Sequence, residues 1–201
     1  MLIDPAVPVP RWPLAERGRR RMHAMLAKPW VAGLRAVWSS EEQKAMDGAA
    51  ILAKALGIPH HVLAALHEND RSATGYLPKA EFEETADRFF AEPETSVRGW
   101  ERATDAQARI IHAVDTILER HGDGGDLAIV GHGGVGTLLL CHLMHCPIDR
   151  RFDQPPGQGG YYFAFEAKSR ALLHGWRLID GLGAVSGPGH DGLGFVRAIL
   201  Q

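Results

Sequence analysis

The residue of this chain best placed for chemistry is His132, inside the stretch D-L-A-I-V-G-H-G-G-V-G-T from Asp126 to Thr137. Four apolar residues run straight into Gly131-His132-Gly133-Gly134, and a long apolar run, Val135 to Met144, follows. A short apolar run bounded by glycine reads as a strand buried on both faces. The run after it is long enough for a helix. His132 is therefore expected at the C-terminal end of a strand and just before a helix, the place where open α/β sheets bind ligands. The first N–H groups of a helix have no partner and sit at its positive end, so an anion is favoured there. The glycines let backbone come close to that anion. Two more predicted strand ends carry polar groups: Ser39-Ser40, and Glu68 just past residues 60–66. In a parallel sheet all three ends open on one edge. A histidine beside an acid, over anion-binding backbone, suits phosphoryl chemistry: the acid protonates a leaving oxygen and the histidine binds the equatorial oxygens. The plain alternative is a tight strand–helix turn whose histidine is a satisfied polar group.

The elements that must position these residues alternate between strand and helix. Residues 1–13 contain Pro5, Pro8, Pro10 and Pro13 and read as an extended loop. Helices are expected over 14–26, 41–56, 79–90 and 100–121, with Ser40 available to cap the second and Gly57 to end it. Short strands are expected over 34–40 and 60–66. After the helix over 135–144 come a Pro/Gly loop (147–160) and two strands, 161–166 and 171–178, joined by a turn at Lys168-Ser169-Arg170. The tail, 181–201, is rich in glycine and is expected to be loosely ordered, with a final helical turn at 195–200. The whole predicts a three-layer αβα sandwich with a mostly parallel sheet, in a single domain spanning 1–201.

Composition narrows the function classes. The chain has 201 residues and a net charge of −2, so no basic surplus points to nucleic acid or a membrane surface. The local run Arg17 to Arg21 reads as a solvated helix face or a phosphate-facing patch. No stretch of about 18 apolar residues offers a membrane span. The first ten residues lack a signal-peptide pattern. Cys141 and Cys146 lie five apart on one helix, poorly placed to bridge, which fits a reducing, cytoplasmic setting.

Four motifs in order carry a resemblance. Pro13-Leu14-Ala15-Glu16-Arg17-Gly18-Arg19 opens the first helix. Ser40-Glu41-Glu42-Gln43-Lys44-Ala45-Met46-Asp47-Gly48-Ala49 follows the first strand. Leu66-His67-Glu68 and Val130-Gly131-His132-Gly133-Gly134 complete the set. Together, over residues 11 to 180, they resemble the histidine phosphatase superfamily, of phosphoglycerate-mutase-like fold. The resemblance implies that His132 matches the second catalytic histidine and Glu68 the proton donor. Lys44 stands where the family usually has a phosphate-binding arginine, which keeps the charge but loses the bidentate fork. The family's N-terminal strand, ending in Arg-His-Gly with the nucleophilic histidine, has no counterpart ahead of the helix that opens at Pro13; the chain's Arg120-His121-Gly122 falls at the end of the helix expected over 100–121. Either Met1 is a late start, or this is a diverged member without the nucleophile. The missing strand would sit mid-sheet beside 127–130. Met1-Leu2-Ile3, the tail or a partner chain are the candidates to fill its place.

The implied activity is a phosphatase of a small phosphorylated metabolite acting through a phosphohistidine, with no metal or other cofactor. The alternative is a catalytically inactive protein that binds a phosphate ligand or a partner. An incomplete sheet edge favours a homodimer. Arg71, in the loop after Glu68, is a candidate for a second anionic group, against a plain loop ion pair. Arg11 and Trp12 are candidates for the pocket mouth, and Gly133 and Gly157 to Gly160 for its backbone walls. Cys141-His142 and His145-Cys146 have metal-like i, i+4 spacing, but the helix reads as core.

Overall fold

The computed structural model describes residues 7–155, 159–181 and 194–200. Strands β1 (Leu34–Ser39), β2 (His60–Val62), β3 (Asp126–Gly131), β4 (Tyr161–Glu166), β5 (Leu172–Leu178) and β6 (Phe195–Leu200) form one sheet in the order β2-β1-β3-β6-β4-β5. β2, β1, β3 and β6 run parallel; β4 is antiparallel to both β6 and β5. The sheet is thus mostly parallel and flanked by helices on both faces, as the alternation of elements predicts.

Side-chain alternation along β3 separates the two layers. Leu127 and Ile129 face one cluster, packed with α4 (Ala103–His121) and α5 (Gly133–Leu143) and with Phe89 and Phe90 of α3 (Lys79–Ala91). Ala128 and Val130 face the other, packed with Met22 and Met25 of α1 (Glu16–Met25) and Ala45, Ala49 and Leu52 of α2 (Gln43–Leu56). Gly57 ends α2 in the left-handed conformation (φ 66°), where a side chain would be strained. Among the described residues no helix is long and apolar enough to cross a membrane.

Three expectations need correction. The strand read over 60–66 stops at Val62, and Ala64–Leu66 is a 3-10 turn that brings the chain toward β3. The basic run does not form one solvated face. Arg19 pairs with Asp47 at 2.8 Å, and Arg21 is buried, donating to Gly159 O at 2.6 Å and to Asp180 at 3.3 Å. The tail expectation fails at its end, since residues 195–200 form a central strand, not a helical turn. The slot beside β3 explains this. Two unpaired strand edges in a core leave many N–H and C=O groups without partners, and β6 satisfies both, matching Leu127–Gly131 to Val196–Leu200 in register. The tail, one of the three candidates considered, thus fills the place. Met1-Leu2-Ile3, Gly157-Gln158 and residues 182–193 lie outside the described residues.

The fit of β6 has a cost. Val196, Ala198 and Ile199 are buried as a central strand requires. Arg197 between them is only 9% exposed, with its guanidinium 5.1 Å from the Trp30 ring and 5.3 Å from the Phe195 ring. Its Nε and Nη1 have no hydrogen-bond partner among the described residues, and burial pushes its pKa down.

Candidate active site

β1 and β3 are paired with Ser39 opposite Val130, so Ser40 and His132 leave the sheet side by side. Ser40 Oγ and His132 Nε2 share a 2.7 Å hydrogen bond. The cap expected of Ser40 is thereby diverted. Glu42, not Ser40, is the N-cap residue of α2, and it makes no side-chain cap bond. Ser40 Oγ receives only a long 3.3 Å bond from the Glu42 amide.

Glu42 turns its carboxylate inward. Oε2 accepts a 2.6 Å bond from Lys44 Nζ, and Oε1 accepts a 2.9 Å bond from the Glu68 amide. Oε1 also lies 3.3 Å from His132 Nε2. The Glu42 and Lys44 side chains are nearly buried, at 6% and 9% exposed.

Glu68 follows the 3-10 turn and reaches across to the start of α5. Its Oε2 accepts from the Gly134 amide (3.1 Å), and its Oε1 from the Val135 (3.0 Å) and Asn69 (3.1 Å) amides. The anion expected at this helix N-terminus is therefore supplied by the protein itself. Gly134 makes room for it, since a Cβ there would lie 2.7 Å from Glu68 Oε1. Arg71 Nη2 stands 4.0 Å from Glu68 Oε2, with its guanidinium over the rings of Phe82 and Trp100. Arg109 holds the loop in place by donating to the carbonyls of Ala65 and His67, both at 2.9 Å, while Glu101 braces it.

Charge states follow from these contacts. Burial opposes ionisation of Glu42. The facing His132 and Lys44, with the bonds from Lys44 and from the Glu68 amide, outweigh it and bring the carboxyl down to about 2. Burial likewise works against the Glu68 carboxylate, but Arg71, His132 and the Gly134 amide hold it below the usual range. Burial of His132 pushes the imidazole down to about 4 despite the two acids nearby. At neutral pH the cluster is a neutral imidazole between two carboxylates and two cations. His132 Nδ1 has no partner among the described residues, and a small apolar cavity lined by Leu66, Ile110, Ile129 and Val135 adjoins the ring.

The structure thus gathers Ser40, Lys44, Glu68, Arg71, His132 and Gly133 at one sheet edge. Gly133 is the first residue of α5, and a Cβ on it would lie 2.6 Å from Gln154 Nε2. Arg11 stays out of the cluster, exposed on a 3-10 turn, and Trp12 is buried with its ring against Tyr76. Gly159 serves as acceptor for Arg21. Cys141 is buried in α5, and both cysteines are free. Among the described residues no group of three or more His, Cys, Asp or Glu side chains could hold a metal ion. Sequence reasoning missed Glu42 altogether. The available signal was an acid and a lysine two apart, just past a buried strand end.

A family model described as the histidine phosphatase superfamily (branch 1) matches residues 9–164. The chain belongs to the histidine phosphatase superfamily. Its fold is similar to that of Bacillus stearothermophilus YhfR, with a TM-score of 0.65 at 24% identity over 86% of this chain and 87% of that one. It is also similar to the Shigella flexneri alpha-ribazole phosphatase (TM-score 0.60, 17% identity, 89% and 90% covered). A mycobacterial glucosyl-3-phosphoglycerate phosphatase in complex with inorganic phosphate gives a TM-score of 0.59 at 21% identity, with 82% and 84% covered. No curated protein matches the chain.

Proposed function

We propose that this chain serves phosphomonoester hydrolysis on a small phosphorylated metabolite, with His132 and Glu68 at the reacting group. The observation that carries the reading is the convergence, on one sheet edge of a histidine phosphatase fold, of a neutral imidazole, the Lys44 ammonium, the Arg71 guanidinium and the amides opening α5. A neutral His132 is a hydrogen-bond partner for a phosphoryl oxygen and costs little to hold buried. Glu68 is ionised while the site is empty. An arriving phosphoryl dianion repels that carboxylate and raises its affinity for a proton. The phosphoryl group passes from the leaving oxygen to a nucleophilic histidine, whose presence the extended chain below tests, and from it to water, while Glu68 protonates the leaving oxygen. Lys44 supplies a point charge rather than a fork. The substrate class draws support from the names of two structural neighbours, both phosphatases of small phosphorylated metabolites.

A second reading, a non-catalytic phosphate-ligand-binding or interaction protein, is favoured by one feature. Among the described residues no second histidine bonds to His132, to Glu42 or to the Glu68 carboxylate. Hydrolysis of p-nitrophenyl phosphate without added metal separates the two. It is measured for the 201-residue chain and for one extended through the upstream codons, each with and without His132→Ala. Turnover in the extended chain that disappears in H132A supports the enzyme. Turnover no faster than H132A in both chains removes it and leaves the binding reading.

A further inference from the structure

We propose that the Glu42 carboxylate occupies an anion-binding seat, so that a ligand's anionic group binds by displacing it. The seat is built from three elements. Lys44 Nζ from α2, the Glu68 amide from the loop after β2, and His132 Nε2 from the end of β3 all converge on the two carboxylate oxygens, at 2.6, 2.9 and 3.3 Å. A cation, a backbone N–H and an imidazole aimed at one point are the donor set of an oxyanion site. Here the oxyanion belongs to the protein.

The geometry sets this contact apart from an ordinary ion pair. A surface Lys–Glu pair two residues apart has water to satisfy both partners and contributes little. This pair is nearly buried, and Oε1 accepts a bond from the amide 26 positions away and faces the imidazole 90 positions away. Glu42 is the N-cap residue of α2 but leaves the α2 amides uncapped by its side chain. Its side chain reaches into the cluster rather than back to those amides. The route out is short: its backbone stands at the junction between β1 and α2, so rotation of one side chain frees the seat without moving either element.

The ligand named for the seat rests on the phosphomonoester reading; the seat itself rests on the contacts alone. Calorimetric titration of the 201-residue chain, Glu42→Gln and Glu42→Ala with inorganic phosphate and with formate tests both. Glu42→Gln keeps shape and loses charge. Glu42→Ala empties the seat to a size that formate fits. Phosphate is expected to bind both variants about tenfold or more tighter than the parent. Formate is expected to bind Glu42→Ala alone and to return its melting temperature toward that of the parent. If formate binds Glu42→Ala while phosphate binds neither variant, the seat stands and the phosphomonoester reading fails. If neither anion binds either folded variant more tightly than the parent, the proposal is overturned and Glu42 is a structural partner of Lys44. Variants that remain unfolded even in saturating formate overturn it in the same way.

Discussion

Folding lowers the pKa of both His132 and Glu42, so both penalise acid. The folded imidazole is pushed down to about 4, below its ordinary 6.5. Between those values the unfolded chain binds a proton that the folded chain refuses, so stability falls as pH drops from about 6.5 to about 4. The Glu42 carboxyl, brought down from 4.5 to about 2, contributes stability that is present above pH 4.5 and lost as pH falls toward 2. Urea unfolding of the parent between pH 7.5 and 4 should therefore show a decline, of which His132 supplies roughly 3 kcal/mol. His132→Gln should flatten that limb. An unchanged slope in the variant would assign the decline to other groups. Glu68→Gln isolates the contact with the start of α5. Losing a carboxylate bonded to three amides should cost about 1–2 kcal/mol at pH 7, read as a shift of the urea midpoint. A midpoint within error of the parent would mean that water replaces those bonds.

Elements explain which residues were legible before the structure. The β3–His132–α5 unit could be read because its signals are local: a short apolar run, glycines, then a longer apolar run. Ser40 could be placed at a strand end because it directly follows the buried run of β1, whereas Glu68 follows a 3-10 turn rather than the strand, which stops at Val62. Glu42 is harder to read: its nearness to Lys44 is a local signal, but the Glu68 amide and His132 reach it from other elements, and no spacing in the chain brings those together. The strand at 195–200 was misread for a different reason. Phe-Val-Arg-Ala-Ile-Leu has a charge at its third position and glycines before it, which do not spell a central strand. Tertiary demand for a strand overrode local preference, and Arg197 records the compromise. A buried guanidinium whose Nε and Nη1 find no partner among the described residues is a burden that an apolar side chain would relieve. Arg197→Met should keep the contact with Trp30 and raise Tm by roughly 2–8 °C. A lower Tm by scanning calorimetry would show that the guanidinium–ring stacking outweighs its desolvation.

Across the whole molecule, β6 joins two half-sheets. On one side stand β2, β1 and β3, all parallel; on the other is the antiparallel pair β4 and β5. No described strand pairs β3 with β4 directly. Removing residues 195–201 should therefore abolish the cooperative thermal transition and expose apolar surface, read as a rise in the fluorescence of a hydrophobic dye together with loss of the monomer peak on size exclusion. A truncated chain that still melts in one sharp step would show that the half-sheets close on each other.

The position of β6 also bears on synthesis. Both strands it joins precede it in the chain, β3 by some 64 residues as counted from Gly131 to Phe195. A nascent chain that has emerged as far as β5 holds two half-sheets with facing open edges and no means of joining them. Domains assemble as their residues leave the ribosome, yet here the segment that completes the sheet is translated after every other described strand. Until then the β3 and β4 edges are free to pair with a neighbouring chain on the same message. Expression yield should therefore depend on chaperone supply and on translation speed over the codons of residues 181–200 far more than on the stability of the finished fold.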